Sequence, residues 1–374
     1  MDIQFEERLT ASGQRLGIAT LHSVRNLNAL SLFMIRELDA RLALWADDPD
    51  IVCVFLRGSG TKAFCAGGDV LQLIHACRDN PGEVPPLAED FFATEYRLDY
   101  RIHTYPKPLI VWGHGFVMGG GMGLMQGGDI RIVTPSSRLA MPEISIGLYP
   151  DVGGSWFLNR MPGKLGLFMG LTGAHMNARD ALDLGLADRF LRDDQQDALL
   201  DGLEHLDWRH TPQRHLWALL HRLEHEARPD LPVAQWLPRR ERIDALLDVP
   251  NLPEAWDALC AVQDDPDPLM ARSGKTLAQG CPLTAWLVWM QLQCARHLSL
   301  PEVFRLEYIL SLNCCRHPEF PEGVRARLLD KDHTPHWVWP DVRQVPQDVV
   351  SAHFSRAWVG PHPLADLGHT GHHG

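Results

Sequence analysis

The sequence predicts an α/β fold in its first half and a mainly helical region after it. Short, almost continuously apolar runs alternate with helical patterns up to about Leu191, where strands fade and helical patterns rich in Arg, Trp and Leu take over. Continuously apolar strands are typical of a sheet covered by helices. The 374 residues are enough for two domains. We therefore predict a core at residues 1–191 and a mainly helical region at residues 192–374 that packs on it.

Four apolar runs in this core are predicted strands. The first, at residues 17–21, precedes a segment at residues 30–45 whose apolar side chains recur mostly at helical spacing. The other three runs are rich in Ile, Val and Leu and lie at residues 51–56, 108–112 and 130–133. Their alternation with helical segments is the basis of the α/β prediction.

The second half contains a connecting segment, a clear helix start and a polar tail. Residues 228–268 are rich in Pro and Asp, which is typical of connections between elements. Ser299 and Glu302 predict a capping box that opens a helix. Residues 362–374 are rich in Gly and His and predict a disordered terminus, with loose metal affinity as the alternative.

The composition is that of an ordinary globular protein and argues against two classes of partner. Hydrophobic residues make up 45% of the chain and charged residues 22%, with a formal net charge of -12. An acidic surface repels nucleic-acid phosphates and anionic membranes, so neither is a predicted partner. A local site for an anionic ligand remains compatible with this overall charge.

The cysteines and the hydropathy predict a cytoplasmic protein. The eight cysteines form no CxxC pair, and most lie among apolar residues, which favours buried, reduced thiols. The first residues lack the pattern of a signal peptide. No run reaches about 18 uninterrupted apolar residues, so no membrane span is predicted.

Two glycine-rich loops follow predicted strands, and each leads into a helix. The first occupies residues 58–68 and ends before Asp69, a suitable N-cap. The second occupies residues 113–118 and leads into residues 119–126. Glycine lets the backbone approach a ligand closely, and the free N–H groups of a first helical turn favour negative charge. Taken alone, each loop could be a plain turn. Together they could direct two N–H groups at one carbonyl oxygen, each lowering a reaction barrier by about 2.7–4 kcal/mol.

Three familiar site motifs are not met. Gly115 is followed by Phe116, Val117 and Met118, so the GxGxxG pattern of dinucleotide-binding folds fails in the second loop. The phosphate-binding pattern GxxxxGK[ST] and the nucleophile elbow GxSxG are also missing from the sequence. These observations argue against a dinucleotide-binding protein, a P-loop protein and an α/β-hydrolase.

Two acids lie in an apolar stretch beyond the fourth predicted strand. Glu143 follows a proline and precedes a hydrophobic run, and Asp151 follows a proline and closely precedes two glycines. Burial raises the pKa of a carboxyl group and suits it to acid–base work near neutral pH. The alternative for Asp151 is a cap on a helix at residues 152–156.

These motifs resemble the crotonase superfamily in their order and separations. The likeness is carried by FCAGGD, MGGGMG, MPE, GLYPDVGG and NAL at residues 64–69, 118–123, 141–143, 147–154 and 28–30. The resemblance implies a crotonase-type ββα superhelix with a C-terminal helical region.

The same resemblance assigns roles to residues of the two glycine loops. It implies an oxyanion hole made by the backbone amides of Gly68 and Gly120. It also implies that Ala66, Gly67 and Gly119 bind the substrate, with the adenine of coenzyme A near the loop that contains Ala66.

Departures from the hydratase pattern point to one subgroup. Enoyl-CoA hydratases use two glutamates; one matches Glu143, and the other falls on Gly123, which has no carboxylate. Asp151 stands where hydratases usually carry glycine. Glu143 together with PDVGG at residues 150–154 resembles the 3-hydroxyisobutyryl-CoA hydrolases, in which Glu95 matches an acid that contacts the substrate. Without the resemblance, Glu95 would be interpreted as a solvated helix residue.

The later part of the chain agrees with this subgroup. EYILS at residues 307–311, EGVRA at residues 322–326 and DKD at residues 330–332 resemble the extension of these hydrolases. The likeness therefore covers roughly residues 10 to 355. Homo-oligomers are common in the family, but the extended tail could cover the surface that forms them, so both states stay open.

The resemblance implies hydrolysis of a short-chain 3-hydroxyacyl-CoA thioester, above all 3-hydroxyisobutyryl-CoA to 3-hydroxyisobutyrate and CoA in valine catabolism. Glu143 would attack the thioester carbon or activate water. Asp151 would orient the substrate hydroxyl or shuttle a proton. Coenzyme A is then part of the substrate, no cofactor or metal is implied, and the acyl-CoA thioester is the predicted partner.

Two other functions stay open. An enoyl-CoA hydratase or isomerase that uses Glu143 alone would change enoyl absorbance without releasing thiol. A non-catalytic acyl-CoA or RNA binder would keep only the scaffold. The negative charge and the retained pair Glu143 and Asp151 count against this second alternative.

Overall fold

The computed structural model describes residues 2–369, and the chain forms two compact units. Unit 1 comprises Met1–Gly68, Arg101–Leu139 and His175–Pro238, and unit 2 comprises Asp69–Tyr100, Ala140–Ala174 and Arg239–Gly374. Each unit combines early and late segments of the chain. The predicted boundary at residue 191 therefore coincides with no boundary of either unit.

The described residues contain both strands and helices. The strands are β1 (Ile3–Leu9), β2 (Arg15–Leu21), β3 (Ile51–Gly58), β4 (Ala63–Cys65), β5 (Leu109–Gly113), β6 (Phe116–Met118), β7 (Ile130–Val133), β8 (Arg138–Ala140) and β9 (Arg189–Phe190). The α-helices are α1 (Leu32–Asp47), α2 (Val70–Asp79), α3 (Pro86–His103), α4 (Gly120–Gln126), α5 (Gly154–Phe157), α6 (Leu165–Thr172), α7 (Ala178–Asp183), α8 (Gln196–His205), α9 (Pro212–Ala227), α10 (Arg240–Leu246), α11 (Leu252–Cys260), α12 (Pro268–Gln279), α13 (Pro282–Ala295), α14 (Leu300–Arg316), α15 (Glu319–Val324) and α16 (Gln347–His353).

Unit 1 is built on a six-stranded sheet in the order β1-β2-β3-β5-β7-β9. β1 pairs antiparallel with β2, and the other neighbours pair parallel. The four predicted strands are found in β2, β3, β5 and β7. Their apolar character follows from burial, since every residue of β5 is buried.

The core of unit 1 explains why it extends past residue 191. Apolar side chains of the sheet pack with leucines of α8 and α9 in one buried cluster. Examples are Ile18, Phe55 and Trp112 from the sheet, with Leu200 and Leu220 from the helices. Because these leucines are buried in one cluster with the sheet, α8 and α9 belong to the same compact unit as the N-terminal strands.

A second, three-stranded sheet carries the glycine loops. Its order is β4-β6-β8, and β4 pairs parallel with β6. α4 begins directly after β6, and α2 begins at Val70 after the loop that follows β4. As predicted, the side chain of Asp69 caps α2 by accepting the N–H of Leu71 at 3.4 Å.

Unit 2 is mainly helical, so the predicted α/β class with a helical C-terminal region is confirmed. The predicted capping box opens α14, because the N–H of Ser299 donates to Glu302 Oε2 at 2.8 Å. Val303 and Leu310 then bury one face of this helix. Within residues 2–369, no helix has both the length and the apolar character needed to cross a membrane.

The prediction of a connecting segment at residues 228–268 was wrong, because its prolines and polar residues begin helices. The side chain of Asn251 accepts the N–H of Glu254 at 3.0 Å, and Pro253 occupies the first turn of α11. Asp267 caps α12 in the same way, directly before Pro268. Pro and Asp in this segment are helix-start signals.

The predicted disordered tail is also wrong for its first part. The side chain of Leu364 is fully buried, and Arg97 Nη1 donates to Asp366 Oδ2 at 2.7 Å. These contacts anchor residues 362–369 within unit 2. The remainder of the predicted tail, residues 370–374, lies outside the described residues.

Candidate active site

The two glycine loops leave neighbouring parallel strands at matched positions in unit 1. β4 and β6 pair with Cys65 opposite Val117, and Gly68 and Gly120 each follow three residues later. In the turns and loops of residues 2–369, neither glycine N–H donates to a backbone carbonyl. Two amide N–H groups without a backbone acceptor, at equivalent positions after two paired strands, are consistent with the oxyanion-hole prediction.

Glycine is required in these loops by conformation and by close packing. Gly67 has φ +117° and Gly119 has φ +47°, both in the region that L side chains rarely adopt. At Gly121, an added Cβ would lie 2.3 Å from the carbonyl oxygen of Cys65. The start of α4 therefore packs directly on the backbone of β4, which fixes the amide of Gly120 relative to this strand.

The NAL turn at residues 28–30 holds the first glycine loop in place. Asn28 lies in the left-handed region with φ 56°, which Asn tolerates better than most residues. Its buried side-chain amide donates to the carbonyl oxygen of Ala63 at 2.9 Å. Beyond it, the N–H of Leu30 donates to the carbonyl oxygen of Gly67 at 2.8 Å. The loop segment that contains Ala66 is thus fixed by the turn expected near coenzyme A.

Unit 2 brings together the three predicted acids. Glu95 on α3 is 3% exposed, and Glu143 and Asp151 are each 4% exposed. Burial, and next the charge of Asp151, raise the pKa of Glu95 and of Glu143 well above their usual values. The alternative of a solvated Glu95 is wrong, because the side chain lies inside the unit.

Glu143 has the features of a group that acts on a ligand. It begins a 3-10 turn, Glu143–Ser145, after Pro142. Its Oε2 atom is buried and has no hydrogen-bond partner within residues 2–369. A buried, unpaired carboxyl oxygen is costly to keep, and such costs are common where a substrate completes the contacts.

Asp151 is held by its side chain and does not cap a helix. The N-cap of α5 is Gly153, and the Asp151 side chain instead accepts the hydroxyl of Tyr96 at Oδ2, 2.7 Å away. The next residue, Val152, has φ 51°, which is unfavourable for a β-branched side chain. Strain of this kind persists only where surrounding contacts over-determine the backbone.

Two side chains supply those contacts. Glu307 on α14 accepts the N–H of Gly153 at Oε2, 2.7 Å away, and the N–H of Ser155 at Oε1, 2.9 Å away. Gln291 on α13 donates to the carbonyl oxygen of Pro150 at 3.0 Å. The turn that presents Asp151 is therefore clamped from both ends. Glu307 was recognised in the sequence only as part of a family motif, without this role.

A further buried acid was missed altogether. Asp99 is fully buried on α3, and neither of its carboxyl oxygens has a hydrogen-bond partner in the described part of the chain. Burial, and next the charge of Glu95, raise the pKa of Asp99 well above its usual value. The signal was the spacing of four residues between Glu95 and Asp99, which puts both on one helix face beside the buried Tyr96.

This acid cluster predicts that the protein loses stability as the pH rises from 5 to 8. Burial raises the pKa of Asp151 to about 6 and that of Glu307 to about 8. The folded state therefore keeps protons that the unfolded chain releases above about pH 4–5, and this stabilisation is lost as the pH passes 6 and then 8. Since one pKa unit corresponds to about 1.4 kcal/mol, we expect the free energy of unfolding to fall by at least about 2 kcal/mol.

Urea unfolding at pH 5 and pH 8 measures this fall. A free energy of unfolding that is flat or rises over this range would contradict the prediction, and Glu307→Gln should flatten the slope.

Comparison with known proteins identifies the family. A family model described as enoyl-CoA hydratase/isomerase matches residues 16–354. The chain belongs to the enoyl-CoA hydratase/isomerase family. The crotonase resemblance and the crotonase-type fold predicted from the motifs are thereby confirmed.

Several relatives within the enoyl-CoA hydratase/isomerase family share most of their length with this chain. A Danio rerio protein named 3-hydroxyisobutyryl-CoA hydrolase, mitochondrial, is 36% identical over 342 residues, which are 91% of this chain and 87% of the relative. The Homo sapiens protein of the same name is 34% identical over 350 residues, 93% of this chain and 88% of the relative.

Solved structures of enoyl-CoA hydratase/isomerase relatives share the fold. An enoyl-CoA hydratase from Rhodobacter sphaeroides aligns with a TM-score of 0.80 at 32% identity and covers 95% of this chain and 98% of its own. A carnitinyl-CoA dehydratase from Mycobacterium thermoresistibile aligns with a TM-score of 0.84 at 30% identity, covering 98% and 99%. Both solved structures thus share the architecture of this chain.

Proposed function

We propose that this protein hydrolyses a short-chain 3-hydroxyacyl-CoA thioester, with 3-hydroxyisobutyryl-CoA as the principal substrate. The observation that carries the proposal is the pair of buried acids, Glu143 and Asp151, in unit 2. Gly123 stands where a hydratase has its second glutamate, so water addition to a double bond lacks its usual partner for Glu143. Two relatives named 3-hydroxyisobutyryl-CoA hydrolase, matching more than 90% of the chain, support the same activity.

In the proposed reaction, the backbone amides of Gly68 and Gly120 hold the thioester carbonyl oxygen as it gains negative charge. Glu143 either attacks the carbonyl carbon, giving a mixed anhydride, or activates the attacking water. Asp151 supplies a proton to the departing thiolate. Glu95 contacts the polar end of the acyl group, and Ala66, Gly67 and Gly119 line the path of the thioester and coenzyme A.

The proposal needs no resident cofactor or metal, because the acyl-CoA thioester is the reacting molecule and the acids provide the proton transfers. The two relatives named above are called mitochondrial, and a cytoplasmic location for this chain stays a prediction. Homo-oligomer formation also stays a prediction.

A panel of acyl-CoA thioesters tests the function. With a thiol-detecting reagent, we expect rapid CoA release from 3-hydroxyisobutyryl-CoA and slower release from isobutyryl-CoA, which lacks the hydroxyl group that Glu95 would contact. 3-Hydroxypropionyl-CoA should be a second substrate. With the analogue, the buried carboxyl group of Glu95 is left without its partner, which predicts a ratio of about 10–100-fold between the hydroxylated substrate and its analogue. Equal rates would contradict recognition of the hydroxyl group.

The panel also decides between the hydrolase and a hydratase. The Rhodobacter sphaeroides structure bears the name enoyl-CoA hydratase, so this alternative has direct structural precedent in the family. Crotonyl-CoA and methacrylyl-CoA serve as the enoyl substrates. Loss of enoyl absorbance without thiol release would establish the hydratase and reject the hydrolase.

A further inference from the structure

Three buried hydroxyl groups connect Asp151 to a backbone carbonyl in unit 2. The hydroxyl of Tyr96 lies 2.7 Å from Asp151 Oδ2 and 2.6 Å from Ser311 Oγ. Ser311 Oγ lies 2.8 Å from the hydroxyl of Tyr149, which donates to the carbonyl oxygen of Glu307 at 2.5 Å. Both tyrosines and Ser311 are fully buried. We call this set, Tyr96, Ser311 and Tyr149, the hydroxyl chain.

The number of protons in the hydroxyl chain depends on Asp151. The chain has four hydrogen-bond contacts, counting those to Asp151 and to the Glu307 carbonyl. Its three hydroxyls supply three protons, and the carbonyl oxygen can only accept. All four contacts contain a proton only when Asp151 is protonated and contributes the fourth one. Each group then donates to the next along the series from Asp151 to the Glu307 carbonyl oxygen.

The ionised state of Asp151 leaves one contact without a proton. The carboxylate then accepts the hydroxyl of Tyr96, and Tyr149 still donates to Glu307. Ser311 has a single proton for its two contacts with the tyrosines. One pair of oxygens within 2.8 Å must therefore face each other through lone pairs. In a buried site this unsatisfied contact is costly.

We propose that the hydroxyl chain makes Asp151 the proton store of this site: it favours the protonated form of Asp151, and the enzyme molecules in that form begin a catalytic cycle with Asp151 as the acid. Tyr96, Ser311 and Tyr149 are positioning residues, because they act through Asp151. The consequence for catalysis rests on the proposed function. The preference for protonated Asp151 follows from the contacts in unit 2 and needs no substrate.

The other groups around Asp151 favour the same state. α3 presents Glu95 and Asp99, the 3-10 turn presents Glu143, and α14 presents the Glu307 carboxyl group, all of which interact electrostatically with Asp151. The remaining titratable neighbours are the phenols of the hydroxyl chain and two buried thiols, Cys314 and Cys315. Burial is the main cause that raises the pKa of Cys314, and the hydrogen bond with Cys77 is the main cause for Cys315. The carboxyl and thiol groups are neutral or anionic, so their ionisation disfavours the carboxylate of Asp151, whereas the hydroxyl of Tyr96 favours that carboxylate by donating to it.

The proton balance of thioester hydrolysis fits this store. The carbon–sulfur bond breaks with its electron pair on sulfur, and the sulfur takes the proton from the carboxyl group of Asp151. The hydroxyl of Tyr96 then donates to the new carboxylate. The water molecule that gives its oxygen to the acyl carbon releases the proton that restores Asp151. Thioester and water thus become acid and thiol with no net change at the enzyme.

The test uses three variants of the hydroxyl chain, which separate the effect of Tyr96 on Asp151 from the effect of Ser311 and Tyr149. Tyr149→Phe and Ser311→Ala each remove the contact that lacks a proton, so the carboxylate becomes easier to form and the pKa of Asp151 should fall. Tyr96→Phe removes the donor to the carboxylate, so the pKa should rise. We expect shifts of about one pH unit, a tenfold change in the ionisation constant, in these opposite directions. A purely structural role would not reverse the sign between two Tyr→Phe variants.

The measurement is a pH titration of the carboxyl carbon of Asp151 by NMR, in full-length protein labelled with carbon-13 at the aspartate carboxyl. Asp151→Asn identifies the signal by its loss. Tyr308→Phe, which removes a hydroxyl on α14 outside the chain, is the matched control and should leave the titration unchanged. Shifts in one direction for all variants, no shift, or an equal shift in the control would overturn the proposal. Should a tyrosine variant fail to fold, Ser311→Ala decides alone. A lower pKa of Asp151 in this variant would support the proposal, and an unchanged or higher pKa would overturn it.

The titration and the activity assay can fail separately. A protein that releases no thiol but shows the opposite shifts would reject the hydrolase function and retain the proton store. In the active enzyme, the pH dependence of kcat for thiol release should move in the same directions as the titration. A kcat profile that stays fixed while the titration moves would reject the catalytic consequence.

Discussion

Replacing Glu143 with glutamine should lower the rate of CoA release by about 10³-fold, within the range that a positioned acid–base group contributes. Glutamine has nearly the same shape but can neither attack the thioester carbon nor accept a proton from water. Because the amide keeps the volume of the buried side chain, the loss should fall mainly on kcat and little on KM. Steady-state kinetics with a thiol-detecting reagent measure both parameters.

A matched control separates this effect from a general effect of removing an acid. Glu241 is exposed on α10, and Glu241→Gln should retain full activity. Unchanged folding of Glu143→Gln is checked by its unfolding curve. The variant should be at least as stable as the wild type near pH 7, since it replaces a buried carboxyl whose pKa is raised by burial. Retention of more than about a tenth of the wild-type kcat would exclude Glu143 from the chemical step.

Replacing Glu307 with alanine should have the largest effect on stability. The change leaves the buried N–H groups of Gly153 and Ser155 without their acceptors. Each unsatisfied buried group costs about 1–3 kcal/mol, so the free energy of unfolding should fall by about 2–6 kcal/mol. The strained backbone at Val152 then loses part of what holds it, and thiol release should fall together with stability. Urea unfolding and the thiol assay measure the two effects.

Two further variants of α14 make this prediction specific. Glu307→Gln keeps one acceptor oxygen but places an NH₂ group against the second N–H, so its cost should be about 1–3 kcal/mol. Glu302→Ala removes an exposed glutamate of the same helix that forms its capping box, at a cost of about 1 kcal/mol. If Glu307→Ala costs no more than Glu302→Ala, the clamp on the Asp151 turn is not a stabilising contact.

The parts of the fold that follow from local chemistry could be predicted from the sequence. β7 occupies the predicted residues 130–133, and Asp69 and Ser299 begin the helices they were expected to begin. These elements depend on apolar burial and on caps within a few residues. The interleaving of the two units could not be predicted, because it depends on which distant helices bury their leucines against the sheet.

The site shows the same division. Glu143, Asp151 and the glycines stand in contiguous motifs, and their local patterns were sufficient to select them. The supporting residues come from segments far away in sequence, and their side chains are ordinary Tyr, Ser and Glu on helices. Nothing in the spacing around Glu307 indicates that its carboxyl group binds the backbone of residues 153 and 155. Such contacts follow from tertiary packing, which single-sequence patterns do not encode.

The clamp on the Asp151 turn also sets an order of events during synthesis. The turn is translated more than 150 residues before Glu307, the group that secures it. A nascent chain that has left the ribosome only up to α13 already contains Glu143 and Asp151, yet its turn lacks both acceptor oxygens for Gly153 and Ser155. We therefore expect hydrolytic competence to arise late, when α14 emerges, and a chain that ends prematurely upstream of α14 should cleave thioesters more slowly despite carrying the signature motifs.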